Sequence, residues 1–184
     1  MKFTRTKIPD IILCEPTFIG DERGYFVETF RKDLLENFIN EKIHFCQDNE
    51  SKSSNGVLRG LHYQLPPFAQ SKLVRVIEGE VLDVVVDVRK KSSTFGQHLT
   101  QILSSENKKQ LFIPKGFAHG FIVLSTTAVF AYKVDNRYSA KHECGIAFND
   151  PKLNIDWKLS LNAIRYSKKD GVNPSFEFAQ YFED

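Results

Sequence analysis

Arg59 and His62 stand three residues apart in the run Val57-Leu58-Arg59-Gly60-Leu61-His62-Tyr63-Gln64, and Lys72 follows His62 after ten residues. Histidine exchanges a proton near neutral pH, while arginine and lysine hold anions. Together they suit removal of a proton next to a carbonyl in a substrate that carries phosphate. A second block, Pro114-Lys115-Gly116-Phe117-Ala118-His119-Gly120-Phe121, supplies another histidine beside a glycine that would let backbone approach a ligand closely. A lone strand histidine is more often a hydrogen-bonded packing residue. For His62 the neighbours weigh against that, because Arg59 and Lys72 flank a segment that reads as half buried, and a buried charge needs a partner. For His119 a turn fixed by Pro114 and Gly116 remains the plainer reading.

Metal chemistry is the natural rival. Its usual sign in a small β-barrel is a pair of histidines one residue apart, then a carboxylate and a later histidine. Gln64 stands where the second histidine would be, and His62, Glu80 and His119 make a weak ligand set. No metal is expected. Tyr132 and Tyr138 close a β run, where tyrosines mostly pack; the functional alternative is a proton donor opposite His62. Asp170, after Tyr166-Ser167-Lys168-Lys169, reads as a surface turn on composition. A carboxylate bonded to a histidine would orient the ring and raise its basicity, yet nothing local assigns Asp170 that part.

The elements that must position these groups are mostly strands. Lys72 to Ile77 and Val81 to Val88 alternate about Glu78-Gly79-Glu80 and predict a hairpin. Further strands are expected at 99–103, 110–113, 120–124 and 128–134. Asp21-Glu22-Arg23-Gly24 reads as a turn leading into a strand. Leu34, Leu35 and Phe38 share one face of a helix over 31–40, and a weaker helix is expected over 175–182. Such a pattern predicts an antiparallel, mainly β sandwich or barrel with a few peripheral helices.

With 184 residues the chain is expected to form one domain, 1–184, with a core of its own. A net charge of +2 argues against a nucleic-acid partner. Cys14, Cys46 and Cys144 are scattered and odd in number, which favours a reducing compartment. The N-terminus lacks an apolar signal core and no run is long enough to span a bilayer, so a cytoplasmic protein with no membrane partner is expected.

Taken together, the blocks resemble the dTDP-4-dehydrorhamnose 3,5-epimerase family of cupin-like jelly rolls, which work without a metal. The likeness extends from Asp21-Glu22-Arg23-Gly24 to Ser167-Lys168-Lys169-Asp170, through Gln47-Asp48-Asn49-Glu50-Ser51, the Val57–Gln64 block, Gly96 after Ser93-Thr94-Phe95, 113–121 and Asn149-Asp150-Pro151. Any one block is weak; their order and spacing are specific. The resemblance implies a cofactor-independent epimerase that acts through an enolate on a nucleotide-diphosphate 4-keto-6-deoxy sugar, dTDP-linked or a related GDP-linked sugar or heptose. It implies His62 as the base paired with Asp170, Lys72 at the C4 oxygen, Tyr132 as proton donor and Tyr138 as a second active-site tyrosine. Arg23, Glu28, Gln47, Asn49, Arg59, His119, Glu143 and Lys168 or Lys169 fall at substrate-contact positions. Arg23, Phe26 and Glu28 are implied to reach the neighbouring subunit of a homodimer with shared sites. One departure stands out: the family commonly has two adjacent tyrosines at 137 and 138, and here the first is Arg137. Inversion of one centre only, or sugar-nucleotide binding without catalysis, are the alternatives to a 3,5-epimerase serving deoxysugar and surface polysaccharide (lipopolysaccharide or capsule) synthesis. The presence of all four of His62, Lys72, Tyr132 and Asp170 favours the enzyme.

Overall fold

Runs of Val, Ile, Leu and Phe between glycines and polar turns form strands because branched and aromatic side chains pack well on a pleated surface. The computed structural model describes residues 1–183. Its strands are β1 (Lys2–Arg5), β2 (Ile12–Glu15), β3 (Phe18–Asp21), β4 (Gly24–Val27), β5 (Gln47–Ser54), β6 (Leu58–Gln64), β7 (Lys72–Glu78), β8 (Glu80–Asp87), β9 (His98–Ser104), β10 (Gln110–Ile113), β11 (Phe117–Val123), β12 (Thr127–Val134) and β13 (Glu143–Gly145). They form a six-stranded sheet, β1-β2-β10-β7-β12-β5, and a five-stranded sheet, β13-β6-β11-β8-β9, with β3 and β4 in a separate ribbon. The pairs within these sheets are antiparallel. From β5 to β13 successive strands change sheet, except between β8 and β9. That alternation gives the expected cupin-like jelly roll.

The core lies between the sheets. Val74, Val76, Leu111, Ile113 and Phe130 of one sheet meet Val81, Val85, Phe117, Phe121 and Val123 of the other. Phe121 and Phe130 stack at 4.1 Å across this layer, a contact that contributes roughly 0.5–1.5 kcal/mol beyond area burial. The outer face of the five-stranded sheet is covered by the C-terminal part of the chain, where Phe148, Trp157 and Phe182 pack on Leu58, Val84 and Ile122. The helix α1 (Lys32–Ile39) covers the other sheet through Leu35, which meets Ile12, Leu73 and Phe112.

Two expectations need correction, and one strand had not been expected. β7 and β8 do not pair as a hairpin; they lie in different sheets. Gly79 turns the chain across the sandwich at φ +79°, and a Cβ there would lie 2.0 Å from the Thr127 carbonyl oxygen. The helix expected over 175–182 is only a 3-10 turn, Phe176–Phe178. Beyond it the chain runs extended because Phe182 exchanges backbone bonds with Val88 and Lys90. Finally, β5 is a strand despite its polar sequence, Gln-Asp-Asn-Glu-Ser-Lys-Ser-Ser, since each residue from Gln47 to Ser54 pairs with β12. As an edge strand it needs no apolar pattern on its outer side.

Candidate active site

Strand alternation decides what faces the space between the sheets. Lys72 shares its face of β7 with Val74 and Val76, and Tyr132 shares its face of β12 with Phe130, all core-facing residues. His62 enters from β6 on the opposite sheet. The three border one cavity of about 630 Å³, with Asn49, Arg59 and His119 also in its walls, Phe121 and Phe130 as apolar lining, and Lys169 and Asp170 from the C-terminal segment.

His62 is partly open to this cavity, while Asp170 is nearly enclosed. Their contact is 2.5 Å, from His62 Nε2 to Asp170 Oδ1. Since a carboxylate only accepts, Nε2 carries the hydrogen, and Nδ1 of the neutral ring keeps a lone pair. The Ser167 hydroxyl donates to Asp170 Oδ2 at 2.8 Å and accepts from the Asp170 amide at 3.1 Å. Burial alone would raise the Asp170 carboxyl; the His62 and Ser167 bonds outweigh it and hold the group below the ordinary carboxylate value.

Lys72 has no carboxylate within ion-pair distance among the described residues. Part of its surface reaches the cavity, yet protein surrounds it, and desolvation pulls its pKa down to about 8 against the opposing charges of Asp83 and Glu143. The Tyr132 phenol moves the other way: burial raises it, with the Arg59 charge in partial opposition. A protonated phenol and a cation that is charged near neutrality therefore stand on the sheet facing the histidine.

His119 is buried in β11 rather than sitting in a turn. Its Nε2 meets Asp83 Oδ2 at 2.8 Å, and it pairs in register with His62. Gly120 opens the way for strand β6, not for a ligand. A Cβ on Gly120 would lie 2.7 Å from the Arg59 carbonyl oxygen, and one on Gly60 would lie 2.5 Å from the Gly120 Cα. Such crowding forces backbone movement, so these two glycines bring the two histidines onto neighbouring strands.

The remaining predicted residues divide. Tyr138 donates to Glu143 Oε2 at 2.6 Å, and Lys169 pairs with Glu143 Oε1, forming a cluster beside His62. Gln47 donates to Asn49 at 2.7 Å. Lys168 and Tyr138 do not line the cavity. Nor do Arg23, Phe26 and Glu28: the β3–β4 ribbon carries Arg23 and Phe26 into solvent, and Arg23 is held by Asp21. Gln64, which stands where a metal-binding pair would have its second histidine, clamps a loop, bonding the carbonyls of Phe68 and Arg137 and the Ser139 amide. The Arg137 side chain is exposed and outside the cavity. Among the described residues no three His, Cys, Asp or Glu side chains are grouped as metal ligands. Sequence reasoning missed Arg165, Tyr166 and Ser167, which line the cavity. For Ser167 a signal existed, since Ser-x-x-Asp is a spacing at which hydroxyl and carboxylate bond reciprocally with backbone.

A jelly roll whose sheets enclose a histidine–carboxylate pair on one side and a cation and a phenol on the other is a cupin-like enzyme of the acid–base kind. Residues 5–177 match the family described as dTDP-4-dehydrorhamnose 3,5-epimerase. The enzyme of that name from Shigella flexneri is 51% identical over 182 residues, 99% of each chain. The crystal structure of dTDP-4-dehydrorhamnose 3,5-epimerase from Elizabethkingia anophelis NUHP1 superposes with a TM-score of 0.93 at 50% identity, covering 96% of this chain and 97% of that one. The dTDP-6-deoxy-D-glucose-3,5-epimerase from Legionella pneumophila Philadelphia 1, in complex with dTDP-4-keto-L-rhamnose, gives 0.92 at 47% identity, covering 96% and 93%. This chain belongs to the dTDP-4-dehydrorhamnose 3,5-epimerase family, whose members are isomerase-class enzymes.

Proposed function

We propose that the cavity binds a dTDP-linked 4-keto-6-deoxy sugar and inverts it at C3 and C5 through an enolate, with His62 as base. The observation that carries this reading is the placement of His62 and Tyr132 on opposite sheets, facing one cavity. Inversion requires a proton to leave from one face of the ring and return to the other, and a base and an acid on facing walls meet that need. Asp170 holds the His62 ring so that Nδ1 receives the proton and stabilises the imidazolium that results. The C–H bonds at C3 and C5 both flank the C4 ketone, so both cycles place negative charge on the same oxygen. Lys72 stabilises that oxyanion, at a typical value of about 3 kcal/mol for a preorganised donor. Tyr132 returns the proton; acid and base steps contribute roughly 10²–10⁴-fold each. Arg59, Asn49 and Lys169 contact the nucleotide diphosphate. Proton transfer next to an existing ketone calls for neither cofactor nor metal.

We further infer a cytoplasmic homodimer whose product enters deoxysugar and surface polysaccharide synthesis. Support for the dimer comes from the β3–β4 ribbon, where Phe18, Ile19, Tyr25 and Phe26 are exposed together. Arg23, Phe26 and Glu28 would then act in the neighbouring site. The test of the function is deuterium wash-in: the protein is incubated in D₂O with dTDP- and GDP-linked 4-keto-6-deoxy sugars, including a heptose, and C3 and C5 are read by NMR. Label at both carbons of the dTDP hexose is expected. Label at one carbon would make it a mono-epimerase, and no label with any sugar would leave a binding role.

A further inference from the structure

The proposed chemistry leaves one buried carboxylate, bonded to the cavity-lining His119, without a part. Asp83 lies in the middle of β8, fully buried, on the face that carries Val81 and Val85 into the core between the sheets. One oxygen meets His119 Nε2 at 2.8 Å, and the other, Oδ1, has no hydrogen-bond partner among the described residues. Leaving a buried carboxylate oxygen unpartnered is costly, and the apolar core around β8 has no packing need for one. From the facing sheet Lys72 enters the cavity whose wall includes His119, likewise without an ion-pair partner. Two half-satisfied groups of opposite charge thus face the space between the sheets from opposite sides, with no direct ion pair between them.

On the reading that Lys72 faces the enolate oxygen, we propose that Asp83 is a positioning residue of the reaction: one oxygen anchors the His119 ring in the cavity wall, and the carboxylate charge balances the Lys72 ammonium.

The surroundings single Asp83 out for this part. Burial is the dominant influence on Lys72, and the two charges that work against it are Asp83 and then Glu143. Glu143, on β13, is already paired with Lys169 and bonded by Tyr138. Asp83 pairs with no lysine or arginine among the described residues. The other titratable or charged groups of the cavity are His62 and Arg59 on β6, His119 on β11, Tyr132 on β12 and Glu50 on β5. From the C-terminal segment come Arg165, Tyr166, Lys169 and Asp170, the last already committed to His62.

Asp83→Asn tests the idea, because the amide oxygen can still accept from His119 while the charge is lost. Rates and wash-in would be followed over pH about 6 to 10 in wild-type and variant enzyme. The expected result is a roughly tenfold lower kcat, KM within about twofold, and an alkaline limb displaced downward by about one pH unit. Lysine ¹³Cε NMR, assigned with Lys72→Arg, should show the Lys72 titration displaced the same way. This readout needs no substrate, so it tests the coupling even if wild-type enzyme exchanges no protons and the functional reading fails. A variant with a lower melting temperature but an unmoved pH profile and Lys72 titration would make Asp83 merely structural and overturn the proposal. If Asp83→Asn does not fold, Lys72→Met/Asp83→Asn should, since the two charges are then removed as a unit; a double variant that also fails to fold overturns it.

Discussion

Two histidine–aspartate pairs stand side by side in this molecule, and they are built differently. His62 and His119 face each other in the β6–β11 register, and each holds a carboxylate at Nε2. Both members of the His119–Asp83 pair come from adjacent strands of one sheet, with side chains 8% and 0% exposed. His62 is 28% exposed, and its partner Asp170 arrives from an irregular C-terminal turn. A histidine that trades protons with a substrate needs an open face and a partner at its back. One that holds shape or balances charge needs only the partner. Residue types are the same in both pairs, and accessibility separates their roles.

Variants can break this contrast. His62→Ala should reduce proton exchange by about 10³–10⁴-fold or more while thermal stability falls only modestly, because the ring is partly exposed and Asp170 keeps its bonds with Ser167. Substantial residual wash-in at either carbon would remove His62 as the base. His119→Ala should do the reverse, lowering stability first, since it leaves the buried Asp83 without its partner.

Lys72→Met should lower kcat by about 10²–10³-fold and make the fold more stable. The sign follows from the titration: Lys72 sits at about 8 in the fold against an ordinary value of 10.5, so the unfolded chain holds the proton more tightly. The ionised residue therefore costs the fold most below pH 8, and the cost fades as pH rises to 10.5. Discounted for partial exposure, the gain at neutral pH is about 1–3 kcal/mol. Urea unfolding of both proteins at neutral pH and near pH 10.5 checks this; a gain that does not shrink would locate the effect elsewhere. By the same titration, the wild-type rate should decline as pH rises through about 8.

Ser167→Ala sharpens the comparison, since it removes the hydroxyl that bonds Asp170 Oδ2 and so loosens Asp170. A fall in kcat of roughly tenfold with little change in KM is expected from losing one orienting hydrogen bond. The smallest effect is assigned to Arg137→Tyr. Because that side chain lies outside the cavity, rates should stay within about twofold; a switch in the number of carbons labelled would show that the position reaches the sugar in the assembled enzyme.

Much of this architecture was legible in the chain. The helix over 31–40 appears as Lys32–Ile39, and the strand at 110–113 appears at those residues. Both signals are local, a shared helix face and a branched run between turns. His62, Lys72, Tyr132 and Asp170 were named from the order of their blocks, and the fold brings all four to one cavity. What failed was long-range. Gly79 looked like a hairpin turn, yet it carries the chain to the other sheet, because alternation reports which residues are buried and not which strand they pair with. β5 had no strand signal at all, since its pairing with β12 supplies the stabilisation that its own residues lack.

The sequence by itself determined the chemistry available: a titratable imidazole, fixed cations, phenols and a carboxylate, in an order specific to one family. Tertiary structure alone decided their use. It set the base and the phenol on opposite sheets, brought Asp170 across 108 residues to His62, and sealed His119 against Asp83. The physical reason is that side-chain type is a property of one position, whereas burial, facing and partner arise from contacts between strands far apart in the chain, and those contacts fix which of two similar histidines is the more open to the cavity.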